Sequence, residues 1–257
     1  MTWTTHVAVF VMVHVAAFAG TGLGFMLLSW LNLFDHPNER SSHSSPIPRG
    51  AGLVVTPIVA AAVGGIGFYG PKAPASAVVV AALALALGLV SWLDDRRGLP
   101  VLVRLVAHAL GIAAALYVMR DAGPFLGGAL PPWLDLAAAG FLWLWFVNLF
   151  NFMDGIDGIA GAEMAVVGFG AAIVAALAGA AGGLSLIGVS LAATATGFLW
   201  WNWPPAKIFL GDVGSIPLGF LLGWLLLLLA QQGEWAAALI LPLYYLADAT
   251  LTLIRRI

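Results

Sequence analysis

Nine long apolar stretches, separated by short polar breaks, make up most of this chain. A helix needs about 20 consecutive apolar residues to cross a hydrocarbon core of ~30 Å. Hydrophobic residues are 62% of the 257 residues and charged residues only 9%, which excludes a water-soluble globule. In lipid each segment must satisfy its own backbone polar groups, which favours helices. We therefore predict an all-α polytopic membrane bundle with crossings near residues 7–33, 51–69, 75–93, 101–119, 133–150, 159–178, 184–201, 216–230 and 235–253.

The basic residues predict how this bundle is oriented. Nine crossings put the termini on opposite sides, and cytoplasmic loops carry an excess of Lys and Arg. When the loops are assigned alternately, one side carries only Lys72 and Arg120. The other side carries Arg40, Arg49, Arg96, Arg97, Arg104, Lys207, Arg255 and Arg256. We therefore predict an outside N-terminus and a cytoplasmic face that also holds Asp94, Asp95, Asp154, Asp157 and Asp212.

Composition limits the class of protein further. There is no cysteine, which excludes disulfides, thiolate metal sites and a thiol nucleophile. The formal net charge of −2 gives no basis for nucleic-acid binding. The first apolar stretch lacks a basic flank and a small-residue cleavage site, so we expect a retained helix rather than a removed signal peptide. Without a long linker or an internal repeat, residues 1–257 are expected to form a single integral-membrane domain.

Two adjacent carboxylates, Asp94 and Asp95, end the third apolar stretch. Their mutual repulsion calls for a cation nearby. A divalent metal with phosphate would meet that need, and so would the next two residues, Arg96 and Arg97. The pair taken alone is therefore compatible with an active site or with a helix that ends in solvated charges.

The run from Asn148 to Gly158 is denser in polar groups than its apolar surroundings. Asp154 and Asp157 would share a face if the segment is helical, and Asn148 and Asn151 have the same spacing one turn earlier. The glycine after each aspartate leaves room for a ligand. The alternative is a turn with an Asx cap and solvated carboxylates. The density of polar groups favours a functional segment.

A third polar segment, residues 207–215, places Asp212 between two glycines just before an apolar stretch. Backbone amides at a glycine-rich turn that enters a helix suit phosphate oxygens, and an aspartate there can hold Mg²⁺. A simple helix cap by Asp212 or Ser215 is the alternative. The first polar loop adds Arg40 and Arg49, whose guanidinium groups could each bind a phosphate. His43 in that loop is ambiguous, whereas His6, His14 and His108 lie in or beside apolar stretches and are expected to be packed or interfacial residues and not ligands.

These four segments, in this order, resemble the motifs of the polyprenyl-phosphate N-acetylhexosamine-1-phosphate transferases of glycosyltransferase family 4. The resemblance runs from Asp35 to about Gly219. It includes Pro46-Ile47-Pro48-Arg49-Gly50, Asp94-Asp95, the run 148–158 and Phe209-Leu210-Gly211-Asp212-Val213-Gly214-Ser215. The Pro-Arg-Gly form of the first loop is closer to transferases that initiate O-antigen, enterobacterial common antigen and teichoic-acid linkage synthesis than to the muramoyl-pentapeptide transferases of peptidoglycan.

The resemblance implies a reaction and a set of roles. Sugar 1-phosphate would pass from a UDP-N-acetylhexosamine to polyprenyl phosphate at the inner membrane, with Mg²⁺ required, Mn²⁺ as a substitute, and UMP released. Metal ligands would be Asp212 with Asp154 or Asp157, and catalytic carboxylates would be Asp94, Asp95, Asp154 and Asp157. Substrate binding would fall to Asn148, Asn151, Lys207, Arg40, His43 and Arg49. The family also allows a homodimer.

One departure from the family pattern concerns the C-terminal end. Family members usually continue past the ninth crossing into a cytoplasmic loop with a histidine-rich motif, and this sequence stops at Ile257. That difference leaves open how the nucleotide-sugar site is completed. Two alternatives also remain open: a peptidoglycan-type transferase, and a transporter or flippase whose charges would couple to transport.

Overall fold

The computed structural model describes residues 2–37, 44–70, 72–180 and 182–255. Helices form almost the whole of this part of the chain, with one short hairpin and a 3₁₀ turn at Arg120–Ala122. The hairpin pairs β1 (Phe34–Asp35) with β2 (Ile47–Pro48). The helices are α1 (Trp3–Trp30), α2 (Gly52–Tyr69), α3 (Ala77–Arg97), α4 (Val101–Met119), α5 (Pro132–Met153), α6 (Ile159–Leu177), α7 (Gly182–Asn202), α8 (Asp212–Gln231), α9 (Trp235–Ile240) and α10 (Leu243–Ile254).

The predicted all-α membrane bundle is confirmed, with a difference at its C-terminal end. Within the described residues, eight helices, α1 to α8, are long and apolar enough to cross a membrane. The predicted ninth crossing, residues 235–253, is instead two short helices, α9 and α10, that meet at Leu241 and Pro242. Proline lacks the N–H that would continue the helical ladder and clashes with the carbonyl four residues earlier, which explains the break.

Helix α8 lies at the centre of the bundle. Its side chains are almost all buried, and Leu221, Trp224 and Leu229 have no exposed surface. Helix α1, in contrast, keeps large apolar side chains exposed, as a helix that faces lipid would. The polar N-terminal end of α8 is therefore held inside the bundle by the helices around it.

Two features fasten the polar loops to the N-terminal end of α8. Phe209 N donates to Pro48 O at 2.8 Å, and Gly50 N returns a bond to Phe209 O at 3.0 Å. A Cβ atom on Gly52 would collide with the backbone of Gly214, so glycine is needed where α2 crosses α8. These contacts place the first polar loop directly beside the third polar segment.

A proline inside α8 is accommodated by a side chain from α2. Pro217 cannot donate to Val213 O, the carbonyl one turn earlier. The hydroxyl of Thr56 donates to that carbonyl instead, at 3.1 Å. A buried carbonyl without a partner would be costly in lipid, so this bond lets α8 keep its proline near the site.

The alternating helices bring the polar ends together. Helices α3, α5 and α7 end, and α2, α4, α6 and α8 begin, at the predicted polar segments. Arg49, Asp95 and Asp212, far apart in the sequence, are in direct contact there. The predicted gathering of charges at one end of the bundle is thus seen in the structure.

Candidate active site

Arg49 joins two carboxylates from different helices. Its Nη2 lies 3.1 Å from Oδ1 of Asp95, in α3, and 3.1 Å from Oδ1 of Asp212, at the start of α8. Burial disfavours the charged guanidinium, but the carboxylates of Asp95 and Asp212 outweigh it and raise the pKa of Arg49. The guanidinium therefore stays charged and offsets part of the negative charge of the two carboxylates.

Asp95 also caps the N-terminal end of α8. Its Oδ2 accepts a hydrogen bond from Val213 N at 3.1 Å, where the first backbone N–H groups of a helix have no internal partner. Gly211 precedes this turn with φ 75° and ψ 166°, a conformation that is essentially restricted to glycine. A Cβ atom there would lie 3.3 Å from Asp95 Oδ2. The Gly-Asp-Val-Gly segment is thus shaped to receive the Asp95 carboxylate.

The side chain of Asp94 contacts a different helix from that of Asp95. Its Oδ1 accepts from Leu99 N at 2.6 Å, and its Oδ2 accepts from Arg104 Nη1 at 3.0 Å. Successive residues on an α-helix are rotated by about 100°, so two adjacent carboxylates reach different partners. Asp94 connects α3 to α4, while Asp95 connects α3 to α8.

Asp154 lies just past the end of α5, in a turn that continues to Gly158. Because this segment is a turn and not a helix, the condition under which Asp154 and Asp157 would share a helix face is not met. Burial raises the pKa of the Asp154 carboxyl well above its usual range, and the nearby carboxylate of Asp212 raises it further. Asp154 thus belongs to the same electrostatic cluster as Asp212 and Arg49.

Asp157 connects the turn to the segment that precedes α8. Its Oδ2 accepts from Ala206 N at 2.9 Å, while its buried Oδ1 has no partner among the described residues. The next residue, Gly158, donates from its N–H to Asn202 Oδ1 at 3.0 Å. These bonds hold the α5–α6 turn against the α7–α8 segment.

A cavity of about 190 Å³ opens between α3, α4, α5 and α8. Asn151 lines it and accepts at Oδ1 from Ser215 Oγ at 2.6 Å, while Asn148 donates to Leu144 O at 2.7 Å. The predicted pair of asparagines is therefore on the wall of a cavity. The other lining residues are Val90, Ser91, Asp94, Val101, Arg104, Leu105, His108, Asp212 and Ile216.

The remaining predicted residues lie apart from this cavity or outside the described residues. Lys207 is exposed, and its Nζ lies 5.6 Å from the centre of the Trp201 ring. Arg40 and His43 fall in the segment 38–43, which lies outside the described residues.

Two residues of the cavity were missed as candidates by the sequence interpretation. Arg104 was used only to predict membrane topology, and His108 was expected to be packed or interfacial. In the structure both line the cavity with Asp94. Their spacing of four residues in an apolar helix is the signal that could have indicated a shared polar face.

The aspartates of this cluster provide some, but not all, of the ligands that a metal ion such as Mg²⁺ needs. In the described part of the chain, no three His, Asp or Glu side chains form a set that could hold a metal ion. Mg²⁺, however, is usually held by one or two protein carboxylates, with water and substrate phosphates as further ligands. Asp154 and Asp212, whose charges repel, match that ligand type.

Comparisons with known proteins place the chain in a family. Residues 77–230, more than half of the chain, match the family described as Glycosyl transferase family 4. A probable undecaprenyl-phosphate N-acetylglucosaminyl 1-phosphate transferase of Bacillus subtilis (strain 168) is 33% identical over 237 residues, which cover 87% of this chain and 64% of that protein.

Relatives with a second activity are also similar. A phospho-N-acetylmuramoyl-pentapeptide-transferase of Picosynechococcus sp. (strain ATCC 27264 / PCC 7002 / PR-6) is 32% identical over 190 residues, with 67% of this chain and 50% of that protein covered. One of Mycobacterium avium (strain 104) is 33% identical over 195 residues, with 60% and 54% covered. The chain thus spans less than two thirds of the length of these relatives. By its sequence match and its bundle of apolar helices, the chain belongs to glycosyl transferase family 4.

Proposed function

We propose that this protein transfers N-acetylhexosamine 1-phosphate from a UDP-sugar to polyprenyl phosphate and releases UMP. An oxygen of the lipid phosphate would attack the β-phosphorus of the UDP-sugar, and the bond from that phosphorus to the bridging oxygen would break, so that UMP leaves with the electron pair. The names of the relatives support this reaction class. The observation that carries the proposal is the Arg49–Asp95–Asp212 cluster at one end of an apolar helical bundle, next to a polar cavity.

The electrostatics of the site suit a reaction between two phosphorylated substrates. Bringing two polyanions together requires positive charge at the developing bond. Arg49 and Arg104 supply two fixed cations, each already positioned by a carboxylate. Their carboxylate partners keep them in place before substrate arrives, which reduces the cost of ordering them on binding.

We further propose that Mg²⁺ is the metal, held by Asp212 and Asp154. The ion would supply Lewis-acid stabilisation of the diphosphate oxygens. Asp154 and Asp212 would provide the protein oxygens, and Arg49 would orient Asp212. Asp94 and Asp95 would act by positioning Arg104, Arg49 and the end of α8, since their carboxylates are already hydrogen-bonded.

The site is proposed to face the cytoplasm of a bacterial inner membrane. Eight of the ten Lys and Arg residues were assigned to the side that carries this cluster. UDP-sugars are the proposed donors, and they would reach the site from that side. A cysteine-accessibility experiment on the cysteine-free chain, with single cysteines at Ala73 and Ser44, would test this orientation.

The experiment for the activity is UMP release by the purified protein in detergent with polyprenyl phosphate and MgCl₂. UDP-GlcNAc and UDP-GalNAc would be compared with UDP-MurNAc-pentapeptide, because relatives with the peptidoglycan activity are also similar. We expect release with a UDP-HexNAc, its loss in EDTA, and its loss in Asp212→Asn. Asp121→Asn is the matched control, since Asp121 is exposed and lies on a segment assigned to the opposite side. Metal-independent release, or full activity in Asp212→Asn, would contradict the proposal.

A further inference from the structure

An apolar groove of about 230 Å³ runs along the surface of the bundle between α2 and α3. Leu53 of α2 and Leu85 and Leu89 of α3 line it, and all three side chains are exposed. The buried residues that form its floor are Gly52, Thr56, Gly88 and Val213. Because its sides are exposed and apolar, the groove opens toward the lipid around the bundle.

The groove adjoins a polar cavity of about 240 Å³ at the end of the bundle that carries the candidate site. The groove and the polar cavity share three lining residues, Leu53, Trp92 and Val213. The polar side chains that line the polar cavity are Asn32, Asp35, Arg49, Asp95 and Arg96. An apolar groove that leads into a polar cavity has the character of a site for an amphiphile, with a chain in the groove and a headgroup in the cavity.

The groove and the polar cavity together have the length of one lipid leaflet. Arg96 and Leu85 both lie in α3, and a rise of 1.5 Å per residue puts about 16 Å between them. Half of a ~30 Å hydrocarbon core is about 15 Å. Tryptophan and arginine, which meet here as Trp92 and Arg96, are also typical of the membrane–water interface. A phospholipid at this place would have its headgroup at Arg96 and the end of an acyl chain near Leu85.

The charges of the polar cavity favour an anionic headgroup. Asp95 is paired with Arg49 at 3.1 Å, and the charge of Asp35 also acts on Arg49. Arg96, in contrast, has no ion pair or hydrogen bond among the described residues, and its guanidinium lies 5.8 Å from the centre of the Trp92 ring. The indole N–H of Trp92 has no partner in that part of the chain either. Two donors, one of them charged, can therefore contact a phosphate oxygen.

We propose that the groove between α2 and α3 binds an anionic membrane phospholipid, with its phosphate at Arg96 and Trp92 and an acyl chain against Leu85 and Leu89. This lipid is distinct from the substrates of the proposed reaction. The groove and the polar cavity share no lining residue with the cavity that contains Asp94, which lies on another face of α3. The proposal therefore does not depend on the transferase function.

The test measures the binding of short-chain lipids to the purified protein in detergent by native mass spectrometry. The probes are dioctanoyl-phosphatidylglycerol, dioctanoyl-phosphatidylcholine, whose net charge is zero, and dioctanoylglycerol, which lacks the phosphate. The variants are Arg96→Gln, Trp92→Phe, which keeps a ring but removes the N–H, and Arg97→Gln. Arg97 is the matched control because it is the next residue of α3 and lines neither the groove nor the polar cavity. Thermal melting would show that each variant is folded.

We expect the wild type to bind phosphatidylglycerol more tightly than the other two lipids. Arg96→Gln should raise the Kd for phosphatidylglycerol about fivefold, the effect of one basic residue beside an anionic lipid. Trp92→Phe should raise it by a smaller factor, and Arg97→Gln should bind like the wild type. An equal rise for Arg96→Gln and Arg97→Gln would indicate a general attraction to the charged surface. That result, an unchanged Kd in Arg96→Gln, or equal affinity for phosphatidylcholine would overturn the proposal.

A competition experiment distinguishes this lipid from the acceptor of the proposed reaction. Farnesyl phosphate, a short polyprenyl phosphate, would be added in excess to the complex with phosphatidylglycerol. We expect phosphatidylglycerol to stay bound, because the acceptor would bind elsewhere. Displacement by farnesyl phosphate in the wild type would assign the groove to the acceptor and overturn the proposal.

Discussion

Arg49 Nη2 lies 3.1 Å from Asp95 Oδ1, although 46 residues separate them in the sequence. The same nitrogen contacts Asp212. A single guanidinium therefore couples the end of α3 to the start of α8 and helps to orient both carboxylates. The geometry of the candidate site therefore depends on the position of Arg49.

Replacing Arg49 by lysine should impair the reaction more than the fold. A lysine keeps the charge, but its ammonium group ends about one bond short of Nη2, the nitrogen that contacts both carboxylates. We expect Arg49→Lys to lower the rate of UMP release by about tenfold or more, with a thermal midpoint close to that of the wild type. Arg120→Lys, at the opposite end of the bundle, is the matched control. Equal rates for Arg49→Lys and the wild type would show that the bridge is dispensable.

Gly211 should not tolerate a side chain. Alanine at φ 75° and ψ 166° is strained by about 1–3 kcal/mol, and its Cβ would approach Asp95 Oδ2 at 3.3 Å. We expect Gly211→Ala to lower both the thermal midpoint and the rate of UMP release.

Gly65 provides the control for that substitution. It lies inside α2, and a Cβ atom there would meet nothing within 4 Å. We expect Gly65→Ala to leave the rate unchanged and to preserve or slightly raise stability. A loss of stability as large as that of Gly211→Ala would contradict the explanation from backbone conformation.

The stability of the metal-free protein should fall as the pH rises. The pKa of Asp154 is raised in the folded state, so the folded protein binds this proton more tightly than the unfolded chain does. Its contribution is complete below the ordinary pKa of 3.8 and is lost as the pH rises through the raised value. Thermal midpoints in EDTA across this range should decline less steeply in Asp154→Asn. Parallel slopes for wild type and variant would refute the assignment to Asp154.

Asp157 offers a test of a contact that fastens two loops. Asp157→Ala leaves Ala206 N without its acceptor, which we expect to cost about 1–3 kcal/mol of stability. Asp157→Asn retains a carbonyl oxygen that can accept the same bond. The thermal midpoints of the wild type and of Asp157→Asn should therefore be higher than that of Asp157→Ala. If Asp157→Asn is as stable as the wild type but no longer releases UMP, the predicted catalytic or metal-binding role of Asp157 is also supported.

Much of the site could be predicted from the sequence because its polar residues are rare. Asp94, Asp95, Asp154 and Asp212 stand out at the ends of apolar stretches, and the structure brings these ends together. His108 was missed because a single histidine in an apolar helix usually packs between its neighbours. The break at Pro242 was missed because the crossing at residues 235–253 was predicted from hydropathy alone. The proline within it is a local signal for a helix break.

The sequence by itself determined the class of the molecule and the end of the bundle that carries its candidate site. The apolar segments have the length of membrane-spanning helices, and backbone N–H and C=O groups without hydrogen bonds are costly in lipid. Few folds other than a helical bundle satisfy both conditions. Only the tertiary structure decided the partners: Asp95 with Arg49 and the end of α8, Asp94 with Arg104, and Asp157 with Ala206. Periodicity within a helix reports the faces of that helix alone, whereas these contacts join segments up to 118 residues apart and depend on how the helices pack.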